Sequence, residues 1–384
     1  VRVLLGISGG IAAYKTPELI RQLKKASLEV TPILTQNAMT FVTPLSVQTV
    51  AESQAYTPHS SEVPGGILHL DLARNADVCV IAPASANTIA KLAGGFADDL
   101  LTSTVLAFQG PKCIAPAMHP EMWHNPITQK NIQILKDSGC IILGPSSGEL
   151  ACKDHGQGRL VDLTLIVIAA QMAAYPKLNL GGKKVLISSG GTQEPIDPVR
   201  VITNRSTGQL GNMLAHVAAL NGAEVTLVTT VPPCETCHLS QVVQVETADQ
   251  MQQALLTHFP ENDALIMAAA VSDFTVDTAS QKISRSQAVQ LELKGTPDIL
   301  KMLSAQKRHQ KLVGFCLAST DLISTATRKL HEKSVDWIVA NSPEAIGATQ
   351  RQMTVISKEN EKIEITGDLL SCAVTLLEKT LQFG

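Results

Sequence analysis

One pattern occurs twice in this chain. Residues 1–13 read VRVLLGISGGIAA and residues 184–193 read KVLISSGGTQ, each a short apolar run closed by a Gly-Gly turn. A run of that length and composition is a strand buried on both faces. Glycines between strand and helix let backbone amides approach a ligand at the positive end of the helix. Beyond each turn, strand and helix patterns alternate. Ile11–Lys25 reads as helix, and Glu29–Leu34, Val78–Ala82, Ile114–Ala117 and Ile141–Leu143 read as strands. In the second half, Leu210–Leu220 reads as helix, with strands at Glu224–Thr229, Leu265–Ala269, Leu312–Phe315 and Trp337–Ala340. Such alternation builds parallel sheets covered on both faces. The expected fold class is therefore α/β, with two Rossmann-like three-layer domains. Helical Leu163–Tyr175, then Pro176 and Gly181-Gly182, mark the joint. A length of 384 residues also suits two domains at roughly 150 residues each.

Composition narrows the function. The net charge of −3 comes from 31 basic and 34 acidic residues, not the basic excess of a nucleic-acid binder. Charged residues make up only 17%, against the usual ~25%, which suits large buried faces or subunit interfaces. No segment nears the ~20 apolar residues of a membrane span; the greasiest, Leu165 to Tyr175, is broken by Gln171. Val1 leads straight into a strand without a signal core, so a cytoplasmic protein without membrane or nucleic-acid partners is expected. The absent initiator methionine leads us to expect that residues before Val1 are missing. The eight cysteines are scattered rather than arranged as a disulfide framework. Cys234-Glu235-Thr236-Cys237-His238 matches the spacing of a haem attachment site. It follows Pro232-Pro233, where a surface loop is expected, and a four-ligand metal site lacks partners. No protein-held metal is expected.

The first turn presents Ser8, Gly9 and Gly10 between strand and helix. It reads equally as a phosphate cradle or as a purely structural turn. A dinucleotide site wants a carboxylate at the end of the second strand, where this chain has Leu34-Thr35-Gln36-Asn37. That disfavours NAD and leaves a mononucleotide such as FMN open. Ser85, Asn87 and Thr88 cluster hydrogen-bonding side chains at another strand's carboxyl end, for a ligand or as helix caps.

Leu68-His69-Leu70-Asp71, the run APASANTIAKLAGGFADDLL (82–101) and PAMHPEMW (116–123) resemble the flavin-dependent cysteine decarboxylase family. Residues 191–200, GTQEPIDPVR, resemble the phosphopantothenate–cysteine ligase family. Together they resemble the family that fuses the two in this order, over essentially all 384 residues. The resemblance implies a flavodoxin-like flavoprotein decarboxylase domain over 1–176 and a nucleotide-binding ligase domain over 183–384.

In the first, FMN would take electrons from the substrate's cysteine thiol, and carbon dioxide would leave from the resulting thioaldehyde. By family match His69 acts early in this chemistry, Met118 and His119 meet the substrate, and Cys152 on a flap protonates the enethiolate. His119 stands where the family commonly has Asn, and Lys153 where the flap usually has Gly, which is expected to stiffen it.

In the second, CTP with Mg²⁺ would convert 4′-phosphopantothenate to an acyl-cytidylate that cysteine's amine attacks. Asn204 matches the residue that stabilises this species, and Lys282 the lysine acting on the phosphate. Met267, Ala268, Ala269, Asp273, Asp298, Phe315, Lys329 and Lys333 match the nucleotide pocket. Arg200, Ser206 and Gly208 match the substrate side. Ala318 and residues 348–351 depart from the family pattern. Decarboxylase relatives form trimers and ligase relatives dimers, so a homo-oligomer as large as a dodecamer is expected. An NAD(P)-dependent oxidoreductase and a non-catalytic flavin-binding regulator are the competing readings.

Overall fold

The computed structural model describes residues 1–60, 67–151, 153–284, 290–345 and 347–383. The chain divides into two compact units, Val1–Pro176 with Cys234–His238, and Lys177–Pro233 with Leu239–Gly384. Among the described residues no helix is long and apolar enough to cross a membrane.

In the first unit, strands β1 (Arg2–Ile7), β2 (Glu29–Leu34), β3 (Val78–Ala84), β4 (Lys112–Pro116) and β5 (Ile141–Ile142) form one sheet. All pairings are parallel, in the order β2-β1-β3-β4-β5. A hairpin of β6 (Ser146–Glu149) and β7 (His155–Arg159) stands apart from it. The helices are α1 (Thr16–Lys25), α2 (Pro44–Ala51), α3 (Leu68–Arg74), α4 (Ala86–Ala93), α5 (Leu100–Ala107), α6 (Pro120–His124), α7 (Pro126–Asp137) and α8 (Leu163–Gln171). Every residue of β3 is buried, so both faces of the sheet are covered, as a β-branched run without alternation requires. Leu4, Ile33, Ile81 and Ile114 pack there with Ile89, Leu101 and Trp123. The helix expected from Ile11 begins as a 3₁₀ turn, Ile11–Lys15, and becomes α-helical at Thr16, where Pro17 suits the first turn.

The second unit contains β8 (Lys184–Ser189), β9 (Gln193–Pro195), β10 (Val201–Thr203), β11 (Glu224–Thr229), β12 (Gln241–Gln244), β13 (Ala264–Met267), β14 (Phe274–Thr275), β15 (Lys294–Gly295), β16 (Lys311–Leu317), β17 (Trp337–Asn341), β18 (Arg351–Ser357) and β19 (Lys362–Gly367). Eight of them form a sheet in the order β12-β11-β8-β13-β16-β17-β18-β19. The first six are parallel and carry the 3-2-1-4-5-6 order of a doubly wound nucleotide-binding sheet. Helices α9 (Gln209–Leu220), α10 (Ala248–His258), α11 (Ile299–Ala305), α12 (Leu322–Glu332) and α13 (Leu369–Thr380) complete the unit. Strands β18 and β19 run antiparallel and extend the sheet beyond the expected parallel set. Their cause is local. Asn360 adopts a left-handed backbone, φ 66°, and the Ser357 hydroxyl accepts from the amides of Glu359 and Glu361. Two strands joined by so short a turn must pair antiparallel.

Candidate active sites

In the first unit β1 lies between β2 and β3, so the connections leaving β1 and β3 open a crevice at the carboxyl edge. Ser8 fixes it. Its hydroxyl donates to the Pro83 carbonyl at 2.7 Å and accepts from the Ser85 amide at 2.8 Å. Beside it lies a cavity of about 320 Å³ walled by Gly9, Thr35, Gln36, Asn37, Ser85, Asn87, Thr88 and Met122, among others. A Cβ at Gly9 would collide with Asn37, its carbonyl carbon being 2.9 Å away, so only glycine lets these two loops approach. Ser85 caps α4, accepting from the Thr88 amide at 3.3 Å. The one acidic wall residue, Asp99, caps α5 and meets Lys91 at 3.4 Å. Ser8 and Gly10 do not line the cavity, and neither does His69, half-buried on α3.

The hairpin of β6 and β7 lies on the segment after β4. The Met118 amide donates to the Gly158 carbonyl at 2.9 Å, and a Cβ at Gly158 would strike the Met118 carbonyl oxygen. His119 caps α6: its Nδ1 accepts from the Glu121 amide at 3.3 Å. That leaves Nε2 to carry the proton and donate to Asp154 Oδ2 at 2.9 Å, joining this segment to the hairpin's turn. Lys153, in that turn, has φ 69°, a left-handed conformation costing a non-glycine residue roughly 1–2 kcal/mol. A lysine in this conformation therefore adds strain to the turn. Cys152 lies outside the described residues. In the Cys234–His238 segment, burial pushes the thiols of Cys234 and Cys237 up to about 11 and about 12, so both stay protonated at neutral pH. Among the described residues no group of three or more His, Cys, Asp or Glu is placed to hold a metal ion.

The second unit has a larger cavity, about 590 Å³, again at the carboxyl edge of its sheet. It brings together Asn204, Ser206, Gly208, Met267, Ala268, Ala269, Asp273, Asp298, Phe315, Lys329 and Lys333, residues separated by up to 129 positions in sequence (333 − 204). The Ala269 amide donates to the Ser188 hydroxyl and the Ala270 amide to the Gly190 carbonyl, which ties the end of β13 to that of β8. Asn204 donates one amide N–H to the Ala270 carbonyl at 3.0 Å and keeps a second. Lys333 meets Asp298 at 3.3 Å, and Asp298 also caps α11. Arg351, to which sequence reasoning gave no role, is on the wall as well.

Lys282 and Arg200 do not line that cavity. A buried carboxylate, Asp197, holds their two segments together. It accepts from the amides of Val199 (2.8 Å), Arg200 (2.9 Å) and Ile283 (3.2 Å), and pairs with the Arg200 guanidinium at 3.4 Å. Arg200 in turn donates to the Ile283 carbonyl. Burial alone would raise the Asp197 pKa, but these amides and the guanidinium hold it below the usual carboxylate value. Glu194, also buried, accepts from the Ala248 amide at the start of α10. Sequence reading quoted both acids within a motif but assigned them nothing.

The flavoprotein family model matches residues 1–174, and that of the DNA/pantothenate metabolism flavoprotein C-terminal domain matches 180–382. The coenzyme A biosynthesis bifunctional protein CoaBC of Bacillus subtilis (strain 168) is 41% identical, over 94% of this chain and 92% of that protein. The chain belongs to the bifunctional coenzyme A biosynthesis family. Its two activities are phosphopantothenate–cysteine ligase and phosphopantothenoylcysteine decarboxylase. The family member of Haemophilus influenzae is 38% identical, over 99% of this chain and 98% of its own length. Among solved structures, the C-terminal domain of a CoaBC protein is 36% identical and covers 52% of this chain and 95% of its own, with TM-score 0.45.

Within this family site, relief of the strain at Lys153 is measurable. Lys153→Gly should slow limited proteolysis of the 149–155 turn by about fivefold, the equivalent of about 1 kcal/mol. Unchanged or faster cleavage would remove the strain argument. Asp197 sets a pH dependence. Because its folded-state pKa is depressed, its contribution is full above the unfolded value of about 3.9 and is lost as pH falls through the folded value. Asp197→Asn should lower the melting temperature at pH 6 and flatten its fall between pH 5 and pH 3. Parallel curves for the two proteins would refute that role.

Proposed function

We propose that the second unit joins cysteine to 4′-phosphopantothenate at the expense of CTP, and that the first unit decarboxylates the product with FMN. The observation that supports this most is the contrast between the two cavities. One is walled by hydroxyls, amides and a single cation, Lys91, already paired with Asp99. The other gathers Arg205, Lys329, Lys333 and Arg351 around a helix N-terminus.

The first cavity suits a mononucleotide. The end of β2 offers Thr35, Gln36 and Asn37 rather than the carboxylate a second ribose needs, and the cavity sits at the switch point where such sheets bind FMN. Gly9, Thr35, Ser85, Asn87 and Thr88 would hold it, while Ser8, bonded to Pro83 and Ser85, and Gly10 shape the turn behind them. Bound FMN supplies the two-electron oxidation of the substrate thiol and its reversal. His69 takes the early proton. His119 Nε2, which donates to Asp154, can instead turn its proton to the substrate carboxylate beside Met118. Cys152 returns a proton to the enethiolate after carbon dioxide leaves.

In the ligase half the carboxylate of 4′-phosphopantothenate attacks the α-phosphorus of CTP and pyrophosphate departs. The amine of cysteine then attacks the acyl carbon, loses a proton and releases CMP. The free N–H of Asn204 is suited to the developing oxyanion. Met267, Ala268, Ala269 and Phe315 face the base and Asp273 the sugar. Lys329 serves the phosphates directly and Lys333 serves them in exchange with Asp298. Lys282 and Arg200 move as one body through Asp197, and Arg200, Ser206 and Gly208 hold the substrate. Mg²⁺ enters with the nucleotide, as it commonly does through phosphates and one or two carboxylates. A CTP-dependent reaction supports a cytoplasmic location. Exposed apolar residues Ile11, Tyr14, Phe41, Leu45 and Phe96 on the first unit, and Val199, Phe274 and Leu293 on the second, support a homo-oligomer built from trimers and dimers.

Purified protein given 4′-phosphopantothenate, cysteine, CTP and Mg²⁺ should release pyrophosphate and CO₂, followed separately. Cys152→Ser should abolish the decarboxylated product while sparing pyrophosphate, and Asn204→Ala should cut pyrophosphate release about 10²–10³-fold. Absence of both products from the parent protein would sink the reading. In light scattering the mass should lie far above a dimer's, and a clean monomer would contradict the homo-oligomer.

A further inference from the structure

Arg351 opens β18 and is 92% buried, with 8% of its surface accessible (100 − 8). Its Nη1 donates to the Ala345 carbonyl at 3.0 Å and its Nη2 to Gln209 Oε1 at 3.2 Å. Both acceptors are neutral. Its Nε is buried with no hydrogen-bond partner among the described residues, and no described carboxylate lies within ion-pair distance. Burial presses its pKa down, yet a guanidinium stays protonated at neutral pH. A charge so placed is normally paired. Its position beside Gln209 sharpens the problem, because Gln209 is the first residue of the 12-residue helix α9, whose N-terminus repels cations and attracts anions. Arg351, Gln209, Gly208 and Lys329 all border the same cavity.

We infer that Arg351 and the N-terminus of α9 form a phosphate-binding subsite in the ligase cavity, in which the guanidinium meets an oxyanion of the bound ligand. The inference deepens the nucleotide reading and rests on it. Two ligands of that reaction carry phosphate, the triphosphate of CTP and the 4′-phosphate of the substrate, and the experiment separates them. Calorimetric titration of the full chain with inorganic pyrophosphate, CTP and 4′-phosphopantothenate is compared between the parent protein and Arg351→Gln.

Loss of about 10–100-fold in affinity for pyrophosphate and CTP, with 4′-phosphopantothenate unchanged, assigns the triphosphate; the reverse pattern assigns the substrate phosphate. Both results support the subsite, since a charge-assisted bond is worth about that factor. Equal affinities for all three ligands in a folded Arg351→Gln protein overturn it. If that variant does not fold, Arg351→Lys carries the test, because it keeps the charge but loses the planar fork. A loss of about 3–10-fold for one phosphate ligand is then expected, and unchanged affinities overturn the subsite. A parent protein that binds pyrophosphate but releases none from CTP would sink the ligase reading and leave the subsite intact. Normal turnover with unaltered affinities in the variants would sink the subsite alone.

Discussion

Both units depend on one constraint, the placement of the first strand inside a parallel sheet. With β1 between β2 and β3, and β8 between β11 and β13, successive connections leave the carboxyl edge in opposite directions and cannot cover the gap between them. The strands that make the gap are buried and fixed. Val185, Leu186 and Ile187 have no exposed surface, and neither do Leu4 and Leu5. The flanking loops carry little of the core, with Ala38 and Val42 after β2 as exceptions, and are free to carry chemistry. Hydroxyls and amides from three strand ends line one gap, and cations from a loop, one helix and a strand end line the other.

The buried polar groups then fall into two kinds. Ser8, Glu194 and Asp197 are engaged by backbone partners, so their hydrogen bonds hold loops in place. Asp197 shows how far this can go, since one carboxylate fixes Arg200 and the segment bearing Lys282 at once. Arg351 Nε and Asn341 Oδ1 are buried on the ligase cavity's wall without partners among the described residues. In native proteins such groups are few. Thr230 Oγ1 is another, away from that wall, so Arg351 and Asn341 stand out by sharing one cavity.

Much of this was legible in the sequence. The Gly-Gly turns and apolar runs located β1 and β8 to within a residue or two, and the missing carboxylate after Leu34 corresponds to a wall of Thr35, Gln36 and Asn37. Family motifs named residues that the fold gathers around one cavity although they are far apart in the chain. Other features had no local signal. Strands β18 and β19 follow from a short turn at Asn360, where a left-handed residue without glycine gives little warning. Arg351 stands at the head of an apolar strand pattern, where an arginine ordinarily marks an exposed end. The His119–Asp154 contact joins residues 35 apart, and neither residue type announces the other.

In the first unit His119 and Lys153 meet at a single turn. Asp154 accepts from His119 one residue after the strained Lys153. The pair is partly solvent-exposed, at 34% and 61% of the two side chains, and an exposed pair contributes roughly 0–1 kcal/mol. Left-handed lysine costs roughly 1–2 kcal/mol. The hydrogen bond offsets part of the strain and leaves a remainder, so the turn is held but not locked. Loss of the His119 hydrogen bond would remove the offset, so the two residues decide together how firmly this turn is held.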